Sequence, residues 1–153
     1  MERNIVGFEQ DEAGDWVALL DCFHRQHVRH EPPFRSAPWV LDDRARSQRV
    51  GTALECPLCD RAELPEGLAV VRTSDTWDAG TMPAGLRRDH RVAIGTWARL
   101  RIERGELRFR AETEPVIDLL LEAGAEQAIP PAVAHAVEPR GSVRFFVEFL
   151  RPA

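Results

Sequence analysis

The feature that most constrains this chain is its set of three cysteines, two of which form a C-x-x-C pair. Cys56 and Cys59 are separated by two residues, a spacing that offers two sulfurs from one tight turn. The third thiol, Cys22, stands two residues before His24, at the predicted end of a strand. Zinc prefers thiolate and imidazole ligands in a closed tetrahedron at structural sites. We therefore predict one structural zinc ion bound by Cys22, Cys56, Cys59 and a histidine.

Three histidines near Cys22 compete for the fourth position of this site. His24 is nearest to Cys22 and on the same side of an extended strand, so it ranks first, with His27 second and His30 further along. The alternative is that Cys22 is a small buried hydrophobe and that the C-x-x-C pair is redox-active or has no role. A thioredoxin-type site needs a βαβ context, which the pattern lacks. Three cysteines without an export signal also argue against a disulfide framework.

The chain changes character near residues 61–67, where the cysteine-rich segment ends and strand patterns without cysteine begin. We predict two modules joined by a short linker, one at residues 1–61 and one at residues 64–153. A module of about 60 residues buries little core by itself. An apparent ~10–16 kcal/mol of metal binding would then decide whether the first module folds.

In the first module, residues 5–9 and 16–20 have the pattern of short strands. The polar, glycine-containing segment between them is typical of a hairpin loop. Residues 42–49 are rich in helix formers and charge, which predicts a short exposed helix. The apolar and polar segment around His27 is stopped by two prolines at residues 32–33, because proline cannot donate to a strand ladder.

The second module is richer in strand signals. Residues 98–102 alternate apolar and polar side chains, and the segment around Gly105 predicts a turn from which residues 107–110 return as the second strand of a hairpin. Residues 143–149 alternate as a half-buried strand, whereas residues 116–123 fit either a helix or a buried strand. Frequent glycine and proline favour a barrel or sandwich. The predicted fold class is therefore mainly β.

Several short motifs of the first module occur together. They are IVGF at residues 5–8, QDE at 10–12, GDWVA at 14–18, CFHRQHVRH at 22–30, PP at 32–33, PWV at 38–40 and CPLC at 56–59. With these motifs, residues 1–60 resemble an uncharacterised bacterial zinc-ribbon-like domain family. One departure is Phe23, where a glycine is more usual, and it can alter the turn that presents His24. The family has no assigned activity, so the resemblance implies a small zinc-ribbon-like module without naming its role.

The second module carries its own set of motifs. They are TMPAGL at residues 81–86, GTW at 95–97, GEL at 105–107, IPP at 129–131, HAVEP at 135–139 and VRFFVEF at 143–149. With these motifs, residues 64–151 resemble the tellurite-resistance-protein-like (TehB/YeaR-like) cupin family. The resemblance implies a cupin-like double-stranded β-helix barrel, which in the wider superfamily often binds a metal through histidines and a carboxylate.

Two histidines remain for such a barrel site. The resemblance places His90 and His135 at the positions of the first and last metal histidines. The positions of the middle histidine and the glutamate fall around Val92 and residues 96–98, whose side chains cannot coordinate. A second divalent metal would thus need another ligand, and hydrogen-bonded histidines without a metal are the alternative. Glu148 or Asp89 is the candidate carboxylate.

Charge limits the partners of this chain. The formal net charge is -5, and all 20 basic residues are arginines. This balance argues against non-specific nucleic-acid binding, which relies on neutralising many phosphates. A local stacking surface is still compatible with the sequence, although a solvated arginine face is the favoured interpretation. The residues of that surface would be Arg25, Arg29, His30, Phe34, Arg35 and Trp39.

The first residues lack a basic stretch followed by an apolar run, and no apolar segment is long enough to cross a bilayer. We therefore expect a cytoplasmic protein without a membrane partner. Three functions are compatible with the sequence. No residue is assigned a catalytic or cofactor-binding role, so the sequence does not decide whether the protein is an enzyme. Oligomers are compatible with the sequence.

The favoured function is that of a zinc-binding protein whose cupin-like barrel binds a small ligand, oxyanion or metal, in stress or tellurite-type resistance as the resemblance implies. The first alternative is a metal-dependent cupin enzyme, a dioxygenase or isomerase, that uses His90 and His135. The second alternative is a regulatory or nucleic-acid-interacting zinc-ribbon protein that uses the arginine surface.

Overall fold

The structure, a computed structural model, describes residues 1–28 and 37–153. The chain divides into two compact units, Met1–Cys56 and Pro57–Ala153. This division falls inside the C-x-x-C loop, a few residues before the predicted linker. None of the helices within the described ranges is long and apolar enough to span a membrane.

The first unit is built on a four-stranded antiparallel sheet with the strand order β3-β2-β1-β4. The predicted hairpin at its start is confirmed, with a first strand longer than expected. A short 3-10 helix and one α-helix lie between β3 and β4. The elements are β1 (Glu2–Gln10), β2 (Trp16–Leu20), β3 (Arg25–His27), the 3-10 helix Pro38–Leu41, α1 (Asp43–Arg49) and β4 (Ala53–Glu55).

Two turns of this sheet are formed by local hydrogen bonds. In the loop between β1 and β2, the Asp11 carboxylate accepts hydrogen bonds from the backbone N–H groups of Ala13 and Asp15, which is the turn chemistry typical of aspartate. Between β2 and β3 the chain reverses within a few residues, and the backbone N–H of Leu20 donates to the His24 carbonyl at 3.1 Å. The second turn therefore brings the residues just after β2 to one end of the sheet.

Helix α1 confirms the predicted helix at residues 42–49 with a one-residue difference at its start. Asp42 caps it, because its side chain accepts a hydrogen bond from the backbone N–H of Arg44. Arg46 points inward and is only 8% exposed. Its guanidinium lies 3.5 Å from the ring centroid of Trp16 and donates to the Val40 carbonyl at 2.6 Å. An ion pair with Asp43, a cation–π contact and a hydrogen bond thus satisfy this buried charge.

The second unit contains a five-stranded sheet with the order β5-β9-β6-β7, in which β8 also pairs with β6. All its strand pairs are antiparallel. The ambiguous segment at residues 116–123 is a strand. The elements are α2 (Pro57–Asp60), β5 (Leu68–Thr73), the 3-10 helix Ala84–Arg87, β6 (Trp97–Ala111), β7 (Ile117–Glu122), β8 (Glu126–Ile129) and β9 (His135–Pro152).

The predicted hairpin around Gly105 is wrong, because β6 continues through this residue as one long strand. The pairing of β6 with β9 shifts register between Ile102 and Glu106, which is a bulge rather than a reversal. Gly105 has φ of 73°, and a Cβ atom placed on it would lie 2.0 Å from the Ser142 carbonyl oxygen. Glycine therefore lets the two backbones approach closely where β6 bends.

The bulge changes which side chains of β6 face the interior. Before it, Leu100 and Ile102 are buried, whereas after it Leu107 and Phe109 are buried. The strand thus keeps one apolar face despite an odd spacing.

Strand β9 pairs with β6 along nearly the whole length of both strands, from Trp97 opposite Leu150 to Ala111 opposite His135. The first half of β6 has β8 on its other edge, and the second half has β7. The sheet therefore curls on itself, and the prediction of a mainly β chain with a cupin-like barrel is confirmed. The largest fully buried side chains of this core are Trp97, Phe109 and Phe145.

The outer face of the curled sheet carries arginines paired with carboxylates. Arg99 donates to Glu148 at 3.1 Å, and Arg101 donates to the same oxygen at 3.3 Å. Further along β6, Arg108 makes two hydrogen bonds to Asp118 at 2.8 and 3.0 Å. Each of these arginines is therefore neutralised at the surface, where such pairs contribute little to stability.

Candidate metal centre and barrel cavity

The four residues predicted to bind zinc come together at one point. One potential ligand atom of each of Cys22, His24, Cys56 and Cys59 lies within 4.8 Å of the others. None of the three cysteines has measurable exposure, and His24 is 4% exposed. The turn after β2 supplies Cys22 and His24, and the loop from β4 into α2 supplies the other two. The backbone N–H of Cys56 donates to the Met1 carbonyl at 2.7 Å, which holds this loop beside the start of β1.

The distances within this Cys3His cluster fit a tetrahedral zinc ion. Zn–S bonds of about 2.3 Å and Zn–N bonds of about 2.0–2.1 Å give S–S edges of about 3.8 Å and S–N edges of about 3.6 Å. The sulfurs of Cys22 and Cys56 are 3.9 Å apart. The Nδ1 atom of His24 lies 3.5 Å from the first sulfur and 3.3 Å from the second. The three measured edges therefore fit a tetrahedral metal site, and Cys59 lies close enough to provide the fourth ligand.

The charges of the cluster also suit a cation. Burial lowers the pKa of His24, but hydrogen bonds to Cys22 and Cys56, together with the negative charge of their sulfurs, outweigh burial and raise this pKa to about 9. A proton on His24 therefore balances the sulfurs when no metal is bound. A divalent cation would take the place of that proton and of the thiol protons, because thiolates and neutral imidazole are the ligating forms.

Phe23, between Cys22 and His24, adopts a conformation that favours glycine. Its φ is 74°, in the left-handed region that side chains with a Cβ rarely occupy. This conformation lets the turn place Cys22 and His24 on the same side. Glycine at this position therefore has a conformational reason, and phenylalanine does not prevent the turn.

His27 does not join the Cys3His cluster. His27 lies at the end of β3, where its Nε2 is 2.6 Å from a carboxylate oxygen of Asp11. His30 lies outside the described residues. Of the proposed arginine surface, Arg25 pairs with Glu9, and the ring of Trp39 packs edge-on against Phe8 at 5.9 Å. The members Arg29, Phe34 and Arg35 also lie outside the described residues.

The barrel encloses a cavity of about 450 Å³. Its walls are mostly apolar, with side chains from the inner faces of β6, β8 and β9 and from the segment between β5 and β6. Polar groups gather at one side, where His90 and His135 meet, and along β5 and the segment that follows it. Its lining includes Arg72, Asp75, Leu86, His90, Val92, Ala98, Leu100, Ile129, His135, Val137 and Phe149.

The two barrel histidines are in direct contact. Their backbones form an antiparallel bridge, with each N–H donating to the other's carbonyl at 2.9 Å. Nδ1 of His90 lies 3.2 Å from Nε2 of His135. Burial lowers the pKa of both imidazoles; for His135 the Val133 carbonyl opposes this shift and the neighbouring His90 reinforces it. At neutral pH the pair is therefore uncharged.

Within residues 1–28 and 37–153, the histidine pair belongs to no group of three or more histidine, cysteine or carboxylate ligands. Val92 and Ala98, at the positions where the family would carry further ligands, line the cavity with apolar groups. Glu148 is bound by Arg99 and Arg101 on the outer face. Asp89 is exposed and does not line the cavity. The structure thus brings His90 and His135 together without a third protein ligand beside them.

Sequence reasoning did not identify the residues at the cavity mouth. A second hollow of about 290 Å³, called the cavity mouth, shares Arg72, His90, Val92 and Phe149 with the cavity. Arg91 and Arg151 also line this hollow. These arginines are far apart in sequence, and two of them lie at the ends of strands, so no periodic pattern points to them. The one available signal was that Arg91 follows a histidine already singled out.

Comparisons with known sequences agree with both modules. Residues 6–63 match the model of a family described as a protein of unknown function, DUF3565. Residues 72–147 match the model of the TehB-like domain. A comparison with curated proteins finds no match.

Two crystal structures share part of the fold. A protein from E. coli strain K12 superposes with a TM-score of 0.53 at 24% identity, over 60% of this chain and 97% of that chain. TehB from Haemophilus influenzae superposes with a TM-score of 0.50 at 20% identity, over 57% of this chain and 32% of TehB. The match thus spans about a third of TehB, and at these identities it concerns the fold alone. The chain joins an N-terminal DUF3565 domain to a TehB-like domain.

Proposed function

We propose that this chain is a zinc-stabilised binding protein in which one structural zinc ion holds the first unit together and the barrel binds a small organic molecule. The observation that carries the proposal is the cavity of about 450 Å³ inside the barrel. Cavities of this size, with apolar walls and a few convergent polar groups, are typical of small-molecule sites.

Three features support zinc at the Cys3His cluster. Three thiolates and one imidazole are soft and borderline ligands that favour zinc over magnesium or calcium. The S–S and S–N distances match the edges of a zinc tetrahedron. Cys22, His24, Cys56 and Cys59 fill all four positions, so no position is open for a substrate. When bound, the ion crosslinks the turn after β2 to the C-x-x-C loop, and its role is structural.

The cavity is suited to a ligand because one part of its wall is apolar and another part carries polar atoms. Leu100, Ile129 and Val137 form an apolar surface against which the body of a ligand can pack. His90 and His135 provide polar atoms at one side, and they are neutral at neutral pH. The fold leaves the identity of the ligand open, because one fold hosts many functions. A role in tellurite-type resistance would therefore depend on the cavity's own chemistry.

Filling the cavity tests the binding role. Ala98 is 1% exposed and lines the cavity, so Ala98→Phe places a ring inside it. We expect this variant to bind the anionic fluorescent probe 8-anilinonaphthalene-1-sulfonate at least tenfold more weakly than the wild type, as measured by fluorescence titration. Ala136→Phe is the matched control, since Ala136 alternates with the cavity residue Val137 on β9. Equal affinity of all three proteins would contradict binding in the cavity.

Metal analysis separates this proposal from a metal-dependent cupin enzyme. We expect one zinc per chain by elemental analysis, because the histidine pair lacks a third ligand within the described residues. The double variant His90→Ala with His135→Ala should keep that zinc. A second ion that disappears in the double variant would instead favour the enzyme.

A further inference from the structure

The hydrogen bonds of His135 determine which of its nitrogens carries the proton. Its Nδ1 lies 3.0 Å from the Val133 carbonyl oxygen. A carbonyl oxygen accepts hydrogen bonds and cannot donate one, so Nδ1 must carry a proton. A neutral imidazole has only one ring proton, and burial keeps His135 neutral, since it is 5% exposed. The Nε2 atom of His135 is therefore a lone-pair acceptor.

The same reasoning extends to His90. Its Nδ1 lies 3.2 Å from Nε2 of His135, and two nitrogens at this distance share one proton. Because the His135 nitrogen is the acceptor, Nδ1 of His90 must be the donor. The backbone bridge between the two residues, at 2.9 Å in both directions, maintains this alignment. The Nε2 atom of His90 is consequently left without a proton.

This Nε2 atom is available to a ligand. The described residues provide no hydrogen-bond partner for it, and it is not among their buried unpartnered polar atoms. His90 lines both the cavity and the hollow at its mouth. The central polar atom of the site is therefore an acceptor, which matches a ligand that donates a hydrogen bond.

The cavity mouth offers hydrogen-bond donors instead, and these favour an anionic group. Arg72, Arg91 and Arg151 line the hollow, and no carboxylate lines it. Arg91 donates to the Ala132 carbonyl at 2.8 Å, Arg151 donates to the Thr96 hydroxyl at 3.0 Å, and the Arg72 guanidinium lies 4.0 Å from the Phe149 ring centroid. These contacts position the three side chains and leave further N–H groups for an anion.

None of Arg72, Arg91 and Arg151 makes an ion pair with a residue in the described ranges, in contrast to the outer-face arginines, which are paired with carboxylates. Asp75 lines the cavity but not the hollow. Three guanidinium groups without an ion-pair partner in the described ranges favour carboxylate or phosphate groups.

We propose that the Val133 carbonyl and His135 hold His90 as a hydrogen-bond acceptor, and that the cavity takes a small organic anion that also carries a hydroxyl group. The anionic group binds at the arginines, the hydroxyl donates to Nε2 of His90, and the apolar body packs against Leu86, Ile129 and Phe149. This inference rests on the proposed binding function and specifies its ligand class.

The proton positions can be measured without any ligand. In the full-length protein at pH 8, long-range proton–nitrogen NMR correlations should report Nδ1–H and a bare Nε2 for both His90 and His135. His27 is an internal reference, because its Nε2 faces the Asp11 carboxylate and must carry a proton. His135→Phe should shift His90 toward the Nε2–H form, and His135→Gln, whose amide oxygen can accept, should restore Nδ1–H. A proton on Nε2 of His90 in the wild type would overturn the proposal that the Val133 carbonyl and His135 hold His90 as a hydrogen-bond acceptor.

The ligand class is tested with three probes in NMR titrations. Mandelate carries a hydroxyl and a carboxylate, phenylacetate lacks the hydroxyl, and benzyl alcohol lacks the carboxylate. We expect mandelate to bind about five- to tenfold more tightly than each of the others. His90→Phe should remove the preference over phenylacetate. Arg91→Gln should weaken mandelate but not benzyl alcohol, with the exposed Arg88→Gln as the matched control.

The outcomes separate this inference from the binding function itself. Equal affinity for mandelate and phenylacetate would overturn the hydroxyl requirement, and equal affinity for mandelate and benzyl alcohol would overturn the anion requirement. If none of the three probes binds while the naphthalene probe still binds in an Ala98-dependent manner, the ligand class is wrong and the binding function stands. If the naphthalene probe also fails, the binding function is wrong.

Discussion

Cys56→Ser should abolish binding of the proposed zinc ion and unfold the first unit. The Cys56 sulfur lies 3.9 Å from the Cys22 sulfur and 3.3 Å from His24 Nδ1, so it would occupy one corner of the proposed zinc tetrahedron. A serine hydroxyl is a poor replacement for a thiolate. Metal binding at such sites contributes an apparent ~10–16 kcal/mol. A unit of about 60 residues has only a few kcal/mol of stability of its own. Loss of even part of the metal affinity therefore exceeds what the unit can tolerate.

Elemental analysis and NMR check this expectation on the same sample. The zinc content should fall from one ion per chain to a small fraction. The backbone resonances of β1 and β2 should lose their dispersion, whereas those of β6 serve as an internal reference within the other unit. Treating the wild type with a zinc chelator should reproduce the change, and adding zinc should reverse it. A serine variant that keeps both its zinc and its β1 and β2 resonances would show that the cluster is not a metal site.

Gly105→Ala should destabilise the barrel by about 3–5 kcal/mol, the range of single substitutions that disrupt a buried backbone arrangement. The new Cβ atom would lie 2.0 Å from the Ser142 carbonyl oxygen and 3.1 Å from the Val143 Cα atom. Both contacts involve the backbone of β9, so no side-chain rotation relieves them. The positive φ of 73° adds a conformational cost.

Gly124→Ala is the matched control for that prediction. Gly124 has a similar φ of 88°, but a Cβ atom on it would meet nothing within 4 Å. Its substitution should cost about 1 kcal/mol, from conformation alone. Urea denaturation followed by NMR of the β6 and β9 resonances compares the two free energies of unfolding. If the two substitutions lower the free energy of unfolding equally, β6 and β9 can separate at the bulge without destabilising the barrel.

The local patterns predicted individual elements of this chain well. The hairpin of the first unit, the helix at residues 42–49 and the alternating strand at residues 143–149 all agree with the structure. Each of these depends on short-range causes: a polar loop between two apolar segments, an aspartate cap, and a two-residue period along one strand. Such causes can be identified from neighbouring residues alone.

The hairpin predicted at Gly105 failed for a physical reason. Apolar side chains on both sides of a glycine fit a strand–turn–strand, and they equally fit one strand whose pattern slips by a residue at a bulge. Which of these two structures forms depends on the strand that pairs with these residues. Strand β9 pairs with both halves of β6, and this long-range pairing cannot be identified from the residues around Gly105.

The cysteine and histidine cluster shows the same division. The residue types alone account for the chemistry of the candidate metal centre, because the three thiols and the adjacent histidine are part of the covalent chain. Which histidine meets the thiols depended on the turn after β2: His24 points to the sulfurs, whereas His27 is carried along β3 to Asp11. The path of the backbone after β2 thus decides that His24, and not His27 three residues further along, meets the sulfurs.

The barrel site was decided almost entirely by the tertiary structure. The sequence determined that His90 and His135 were present and that the matching metal positions carried side chains unable to coordinate. Only the fold placed these imidazoles 3.2 Å apart, set His135 against a backbone carbonyl and gathered three arginines at the cavity mouth. Residue types are fixed by the chain, but proton positions and charge balance depend on distances between residues far apart in sequence, and those distances exist only after folding.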